Sequence, residues 1–223
     1  MNRREFSAGA ACVVGAAALG LPGVVFGQVK KPEDGVEYQI LSKPVQVDAP
    51  PGRIEVIEFF WYACPHCNAF EPKLEAWIRK QPADVFVKRV PVAFRDSFVP
   101  QQRLFYTLEA LGKLDTLHFK VFNAIHGVQG AQVDRSALNR EDDIADWAAK
   151  QGLDRAKFVE MYNSFGVSSK ARRAAQLQQA FGVSGVPSLG IAGRYYTDGD
   201  LARNMDRALQ VTDYLVAEAR KAK

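Results

Sequence analysis

The sequence predicts an α/β fold in which a strand–helix–strand unit and a strand–strand–helix unit flank an all-helical insertion. Three observations carry this. Arg53–Phe60 and Val85–Val90 are short runs rich in β-branched and aromatic residues. From Pro100 to Gln179 the apolar residues change to helical spacing. After Val183 short strand-like runs return, followed by a last amphipathic segment.

Taken in order, residues 1–27 read as a secretory signal. Arg3 and Arg4 precede an uncharged Ala/Gly/Val/Leu stretch from Ser7 to Phe26, and the small residue Gly27 suits cleavage before Gln28. The paired arginines before Phe6 also resemble a twin-arginine signal, and both export routes stay open. Pro22 interrupts the stretch, which disfavours a retained membrane anchor. Removal of this segment also removes Cys12.

Residues 28–99 form the first part of the domain. A proline-containing lead-in holds one short strand at Tyr38–Leu41. The strand over Arg53–Phe60 runs into a helix for which Cys64 is the N-cap and Pro65 the first residue, with Phe70, Leu74, Trp77 and Ile78 on one face. Pro72 predicts a kink inside it. The strand Val85–Val90 completes a βαβ unit with parallel strands.

Residues 100–181 make the helical insertion. Leu104, Leu108 and Leu111 mark one helix, and Leu117, Val121, Phe122 and Ile125 the next. Asn139 with Asp142 would cap a third, Gly152 would stop it, and Asp154 would cap a fourth. A fifth runs from Ser168 to Phe181. Residues 182–223 close the domain with a strand over Pro187–Ala192, a turn at Gly193-Arg194, a strand at Tyr195–Thr197 and a helix introduced by Asp198-Gly199-Asp200. That helix would bury Leu201, Met205, Leu209, Leu215 and Val216.

Bulk properties exclude several classes. Hydrophobic residues make up 48% and charged residues 24%, the balance of a soluble globular protein. The net charge of +4 falls to +3 with the signal removed, too mild for nucleic-acid binding, and no basic run is interleaved with aromatics.

The chemistry is carried by Cys64-Pro65-His66-Cys67, the one cysteine pair left after export. So short a ring constrains little unfolded chain, which argues for a chemical rather than a structural role. At a helix N-terminus Cys64 faces unpaired N–H groups and the positive end of the dipole, both of which favour thiolate. His66 adds a donor or a positive charge, Pro65 stiffens the ring, and Cys67, one turn further in, would resolve a mixed disulfide. A stabilised thiolate stabilises the reduced protein and so makes the disulfide oxidising. Zinc wants four ligands, and only His66, His118 and His126 remain to join the pair. Covalent haem needs a histidine where Asn68 stands.

The stretch Val56–Glu71, with Gly185-Val186-Pro187-Ser188 downstream, resembles the thioredoxin superfamily and, more narrowly, its periplasmic disulfide-oxidase branch, the DsbA family. The resemblance covers nearly the whole mature chain and implies a thioredoxin-like fold. The DsbA family is itself the standard example of a low-pKa, strongly oxidising cysteine, and the resemblance implies that direction for Cys64 without a magnitude. It further implies that Cys64 is the substrate-linked sulfur, that Pro187 is a cis-proline beside the disulfide, and that Val186 pairs with an extended substrate. It also suggests Lys88 as partner of Glu58. Glu58 has two readings: a partly buried carboxyl that exchanges protons with Cys67, or a residue on a solvated strand face. Trp61 and Tyr62 belong either to an apolar substrate groove or to the core, and His118 and His126 read as surface or packing residues.

The expected function is donation of the Cys64–Cys67 disulfide to reduced, unfolded exported polypeptides in the periplasm. The protein would act as a monomer, without metal or organic cofactor, and be reoxidised by a membrane quinone-linked partner of the DsbB type. The alternatives are a reductase or isomerase of the same superfamily, and a peptide-binding chaperone module without redox turnover.

Overall fold

The computed structural model describes residues 31–128 and 137–222. The predicted signal segment and Cys12 lie outside the described residues.

The strand β2 (Ile54–Phe60) is buried along its whole length. It pairs in parallel with β3 (Val85–Pro91) and antiparallel with β4 (Ser188–Ile191). The strand β5 (Tyr195–Asp198) and a short β1 (Gln39–Ile40) complete a sheet of order β1-β5-β4-β2-β3. The parallel pair is joined through α1 (Pro65–Ile78), as a parallel connection requires. Pro72 lies on the exposed face of this helix, which continues through it.

Both faces of β2 are covered. Side chains alternate along a strand, so Ile54 and Val56 pack with Phe70 and Leu74 of α1 and with Leu209 and Leu215 of α7 (Met205–Lys221). Ile57 and Phe59 face the opposite way, into a cluster that contains Leu104, Phe122, Ile144 and Leu177. These come from the insertion helices α2 (Val99–Ala110), α3 (Leu114–His126), α4 (Glu141–Lys150) and α6 (Phe165–Ala180), with α5 (Arg155–Tyr162) between the last two. A central strand sandwiched this way reads as a continuous apolar run rather than an alternating one.

Helix ends follow local hydrogen-bond chemistry, and three differ from the sequence expectation. The helix α4 starts after Arg140, without a side-chain cap. Asn139 is engaged elsewhere, because its side-chain oxygen accepts from Gln101 Nε2 at 2.9 Å. The helix α6 begins at Phe165 rather than Ser168, because Ser164 Oγ accepts from the Val167 amide. The Asp198 carboxylate accepts from the amides of Asp200 and Leu201 and holds a turn, so α7 begins only at Met205 under an Asn204 cap. Leu201 therefore lies outside that helix and packs against the insertion-side cluster. Gly152 follows α4 with a φ of +89°, and Asp154 caps α5 by accepting from Lys157 N, both as the sequence predicts.

The turn between β4 and β5 needs Gly193. Its φ is +63°, and a Cβ there would meet the Val45 carbonyl oxygen at 2.1 Å. The Val45 amide donates to the Gly193 carbonyl at 2.7 Å, which seats the lead-in segment on the hairpin.

Candidate active site

The site forms where β2 ends. Trp61, Tyr62 and Ala63 turn the chain from strand into helix, with the Cys64 amide donating to Trp61 O at 3.0 Å. Cys64 takes an extended conformation as N-cap, and its carbonyl accepts the first helical bond from Asn68 N at 3.1 Å. Pro65, whose missing N–H would have had no helical partner, occupies the first helical position. Both cysteines are in the dithiol form.

The two sulfurs sit in opposed environments. Cys64 keeps 7% of its surface exposed and Cys67 none. The Cys64 thiol is lowered to about 6, first because the Cys67 S–H donates to its sulfur. Burial opposes this, and the Cys67 and His66 amides together with the His66 ring reinforce it. The leading contribution is therefore the partner thiol, with the helix N-terminus assisting. Cys67 moves the other way. Burial pushes it well up, and the neighbouring Cys64 and Glu58 add to the shift.

Across from the helix N-terminus lies the loop before β4. The Val186–Pro187 peptide bond is cis, and Cys64 Sγ approaches the Val186 carbonyl oxygen at 3.5 Å. Segments 122 residues apart in the chain thus meet at one sulfur. Beside them opens a groove of about 460 Å³ lined by exposed His66, Val186, Pro187, Asp198, Asp200 and Met205. Trp61 is half-buried and stacks on Phe98, with ring centroids 3.8 Å apart and planes at 7°. Tyr62, in contrast, is core, only 1% exposed.

Beneath Cys67 lies a buried charged cluster that sequence reasoning resolved only in part. Glu58 is fully buried, which excludes the solvated-face reading. Its partner is Arg89, with Nε 3.2 Å from Glu58 Oε2, and not Lys88. The parallel register sets Glu58 opposite Arg89 and Ile57 opposite Lys88, and Lys88 turns away to pair with Asp48 at 2.5 Å. Arg89 also binds Glu71, and reaches Glu75 at 2.6 Å. One guanidinium thus serves three carboxylates. Glu58 is raised well above the carboxylate range, mainly by burial and then by the Glu71 charge. Glu71 is lowered despite its burial, because His118 and Arg89 face it.

Sequence reasoning missed both histidines of α3. His118 is buried, 2.8 Å from the Tyr62 hydroxyl through Nδ1 and 3.3 Å from Glu71 through Nε2. His126 Nε2 donates to the Tyr62 carbonyl at 2.7 Å. The available signal was that His118 shares an apolar stripe with Phe122 and Ile125. Gln101 of α2, also missed, accepts from the Ala63 amide at 3.2 Å and ties the insertion to the residue before Cys64.

Comparisons with known proteins identify the family. Residues 55–210 match the family model of the DSBA-like thioredoxin domain. The chain is 39% identical to the thiol:disulfide interchange protein DsbA of Burkholderia cepacia, over 92% of this chain and 95% of that one. It is 41% identical to DsbA of Bordetella pertussis, over 94% and 96% of the two chains. The crystal structure of Pseudomonas aeruginosa DsbA superposes with a TM-score of 0.76 at 39% identity, covering 84% of this chain and 94% of that one.

Proposed function

The chain belongs to the DSBA-like thioredoxin domain family, and from that premise we propose that Cys64 and Cys67 carry its chemistry, by passing their disulfide to reduced, unfolded exported polypeptides. The protein is a thiol:disulfide oxidoreductase, as the DsbA relatives are. The observation that carries the direction of transfer is the opposed displacement of its two thiols, Cys64 down to about 6 and Cys67 up.

In the oxidised protein a substrate thiolate attacks Cys64 Sγ. The Cys64–Cys67 bond breaks, and its electron pair goes to Cys67, which takes up a proton because burial disfavours its anion. Glu58, a buried carboxyl that retains its proton, is the donor. A second substrate thiolate then attacks the substrate sulfur of the mixed disulfide, and Cys64 leaves as a stabilised thiolate. The substrate has lost two electrons, and the protein has gained them.

Val186 and Pro187 present backbone beside Cys64, where an extended segment pairs, and Trp61 contributes an apolar flank. His66 lines the groove and favours the Cys64 anion, while Pro65 holds the first turn. The pair is its own redox centre, without metal or organic cofactor. The working compartment is the periplasm, reached by way of the 1–27 signal, and the reoxidant is a membrane quinone-linked protein of the DsbB type. No helix among the described residues is long and apolar enough to cross a membrane. The protein acts as a monomer.

The test uses a synthetic peptide with two thiols. Mixed with one equivalent of oxidised protein, the peptide is expected to become a disulfide while the protein ends as the dithiol. A peptide left reduced against a glutathione buffer that keeps the protein oxidised would contradict donation.

A further inference from the structure

The buried cluster holds more carboxylates than one arginine can neutralise. Facing one another are Glu58 from β2, Glu71 and Glu75 from α1, Arg89 from β3, Tyr62 from the loop and His118 from α3. Glu75 is partly exposed and also lies 3.8 Å from Arg79, so water and a second cation share its charge. Glu58 and Glu71 have 0% and 1% of their side chains exposed and must divide what remains of Arg89. Two anions in one dry site cannot both ionise freely, so one of the two keeps a proton.

The neighbours of each carboxyl decide which one. Glu58 has the Arg89 Nε contact at 3.2 Å, without an aligned hydrogen bond to either of its oxygens. Glu71 has Arg89 on the same oxygen that His118 Nε2 approaches at 3.3 Å. The His118 ring is neutral, since burial lowers its basicity. A neutral imidazole carries one N–H. With a carboxylate at Nε2, the N–H sits there, and Nδ1 accepts from the Tyr62 hydroxyl at 2.8 Å. The Tyr62 hydroxyl keeps its own proton, because burial raises it well above its ordinary range. This tautomer turns the positive end of the N–H dipole toward Glu71, which Nε2 approaches at 3.3 Å without an aligned hydrogen bond, while Nδ1 is matched by the Tyr62 hydroxyl.

We propose that His118 is a positioning residue for disulfide exchange, which acts through Glu71: it holds Glu71 ionised and so leaves the buried proton on Glu58, next to Cys67 in the sequence of transfer. This rests on the exchange reading above and adds a role for a residue of the helical insertion. His118 touches neither substrate nor sulfur. The insertion thereby sets the protonation pattern on the far side of α1, and His126, two turns along the same helix, holds the Tyr62 carbonyl in register.

Carboxyl titration by 13C NMR in the oxidised protein tests this, because neither sulfur then carries charge. In the unaltered chain Glu58 is expected to titrate above the ordinary carboxylate range and Glu71 below it. His118→Phe keeps a ring among Phe60, Phe105 and Phe122 but removes both nitrogens. It should raise the Glu71 midpoint by about one pH unit and lower that of Glu58. His118→Gln, which keeps an N–H donor, should restore part of both shifts. A folded His118→Phe protein with both midpoints unmoved would overturn the proposal, whatever happens to its exchange rate. Should that variant fail to fold, 15N NMR of the unaltered chain decides: an Nδ1–H tautomer at His118, or a charged ring at pH 7, would refute it. Failure of the unaltered protein to oxidise the two-thiol peptide would sink the exchange reading alone and leave these titrations as they are.

Discussion

The rim of the site and its floor treat the same chemical group in opposite ways. At the rim, Cys64 is offered hydrogen-bond donors from Cys67 and from two backbone amides, with the Val186 loop and an open groove beside it. On the floor, one helical turn away, Cys67 is fully buried, and its anion is opposed first by burial and then by the neighbouring Cys64 sulfur, with Glu58 adding to the shift. Two residues of sequence, Pro65 and His66, thus separate a good leaving group from a thiol that holds its proton. The difference teaches that the helix N-terminus explains only part of the asymmetry. Cys67 itself is the foremost stabiliser of the Cys64 anion, and it serves in that role because the floor keeps it protonated.

Removing one side of the comparison should have the largest effect. Cys64→Ser is expected to reduce peptide oxidation by roughly a thousandfold or more, since Cys67 is fully buried and no third thiol lies among the described residues. Cys67→Ala should instead accumulate the mixed disulfide on Cys64, seen as a mass increase equal to the peptide. Equal loss without an adduct would show that the rim alone does not define the attacked sulfur.

The floor can be broken separately. Arg89→Leu leaves three carboxylates facing one another, two of them fully buried, and should destabilise the fold by about 3–5 kcal/mol in denaturant titration. Lys88→Leu, one position away, removes a partly exposed pair with Asp48 and should cost about 1 kcal/mol or less. Comparable losses would mean that the floor is not organised around Arg89.

A pH series sharpens the contrast without mutation. The folded Cys64 value near 6 lies below the ordinary thiol value of 9.0, so its contribution to the stability of the reduced protein is fully present above about 9 and is lost as pH falls through 6. The stability of the reduced form relative to the oxidised form should therefore fall by about 2–3 kcal/mol between pH 8 and pH 5. Cys67, displaced upward, should contribute nothing to that slope over this range. A flat difference between the two melting curves would show that Cys64 is not lowered. The smallest effect is expected from His66→Ala. The amide at that position remains, so only the influence of the ring is lost, and the Cys64 midpoint should rise by about half a pH unit or less.

The rim was far more legible in the sequence than the floor. The cysteine pair, the N-cap geometry and Pro65 are local features, readable from a strand followed by a helix start, and the structure has β2 and α1 where the pattern put them. The floor depends on register and on contacts between distant elements. Period-2 alternation leaves one face of a strand free for solvent only when the sheet is covered on one side, and β2 is covered on both, so it could not decide the fate of Glu58. Lys88 and Arg89 are neighbours in sequence, and a parallel register offset of one residue chooses between them. His118 and Gln101 reach the site from helices 54 and 37 positions past Cys64, with no short-range pattern beyond a polar residue on an apolar helix face. Helix starts missed by a few residues, at Ser164 and Asn204, failed for a local reason: several Ser, Asp and Asn side chains near each start could serve as the cap, and the sequence pattern does not rank them.

The opposition of rim and floor is read most directly from thiolate absorbance at 240 nm, followed in the reduced protein from pH 3 to pH 10 and corrected against the oxidised form. The account predicts a step near pH 6 with the amplitude of one thiolate, cancelled by alkylation of Cys64, and no second thiolate below about pH 9. A single step near pH 9 with the amplitude of two thiolates would contradict it.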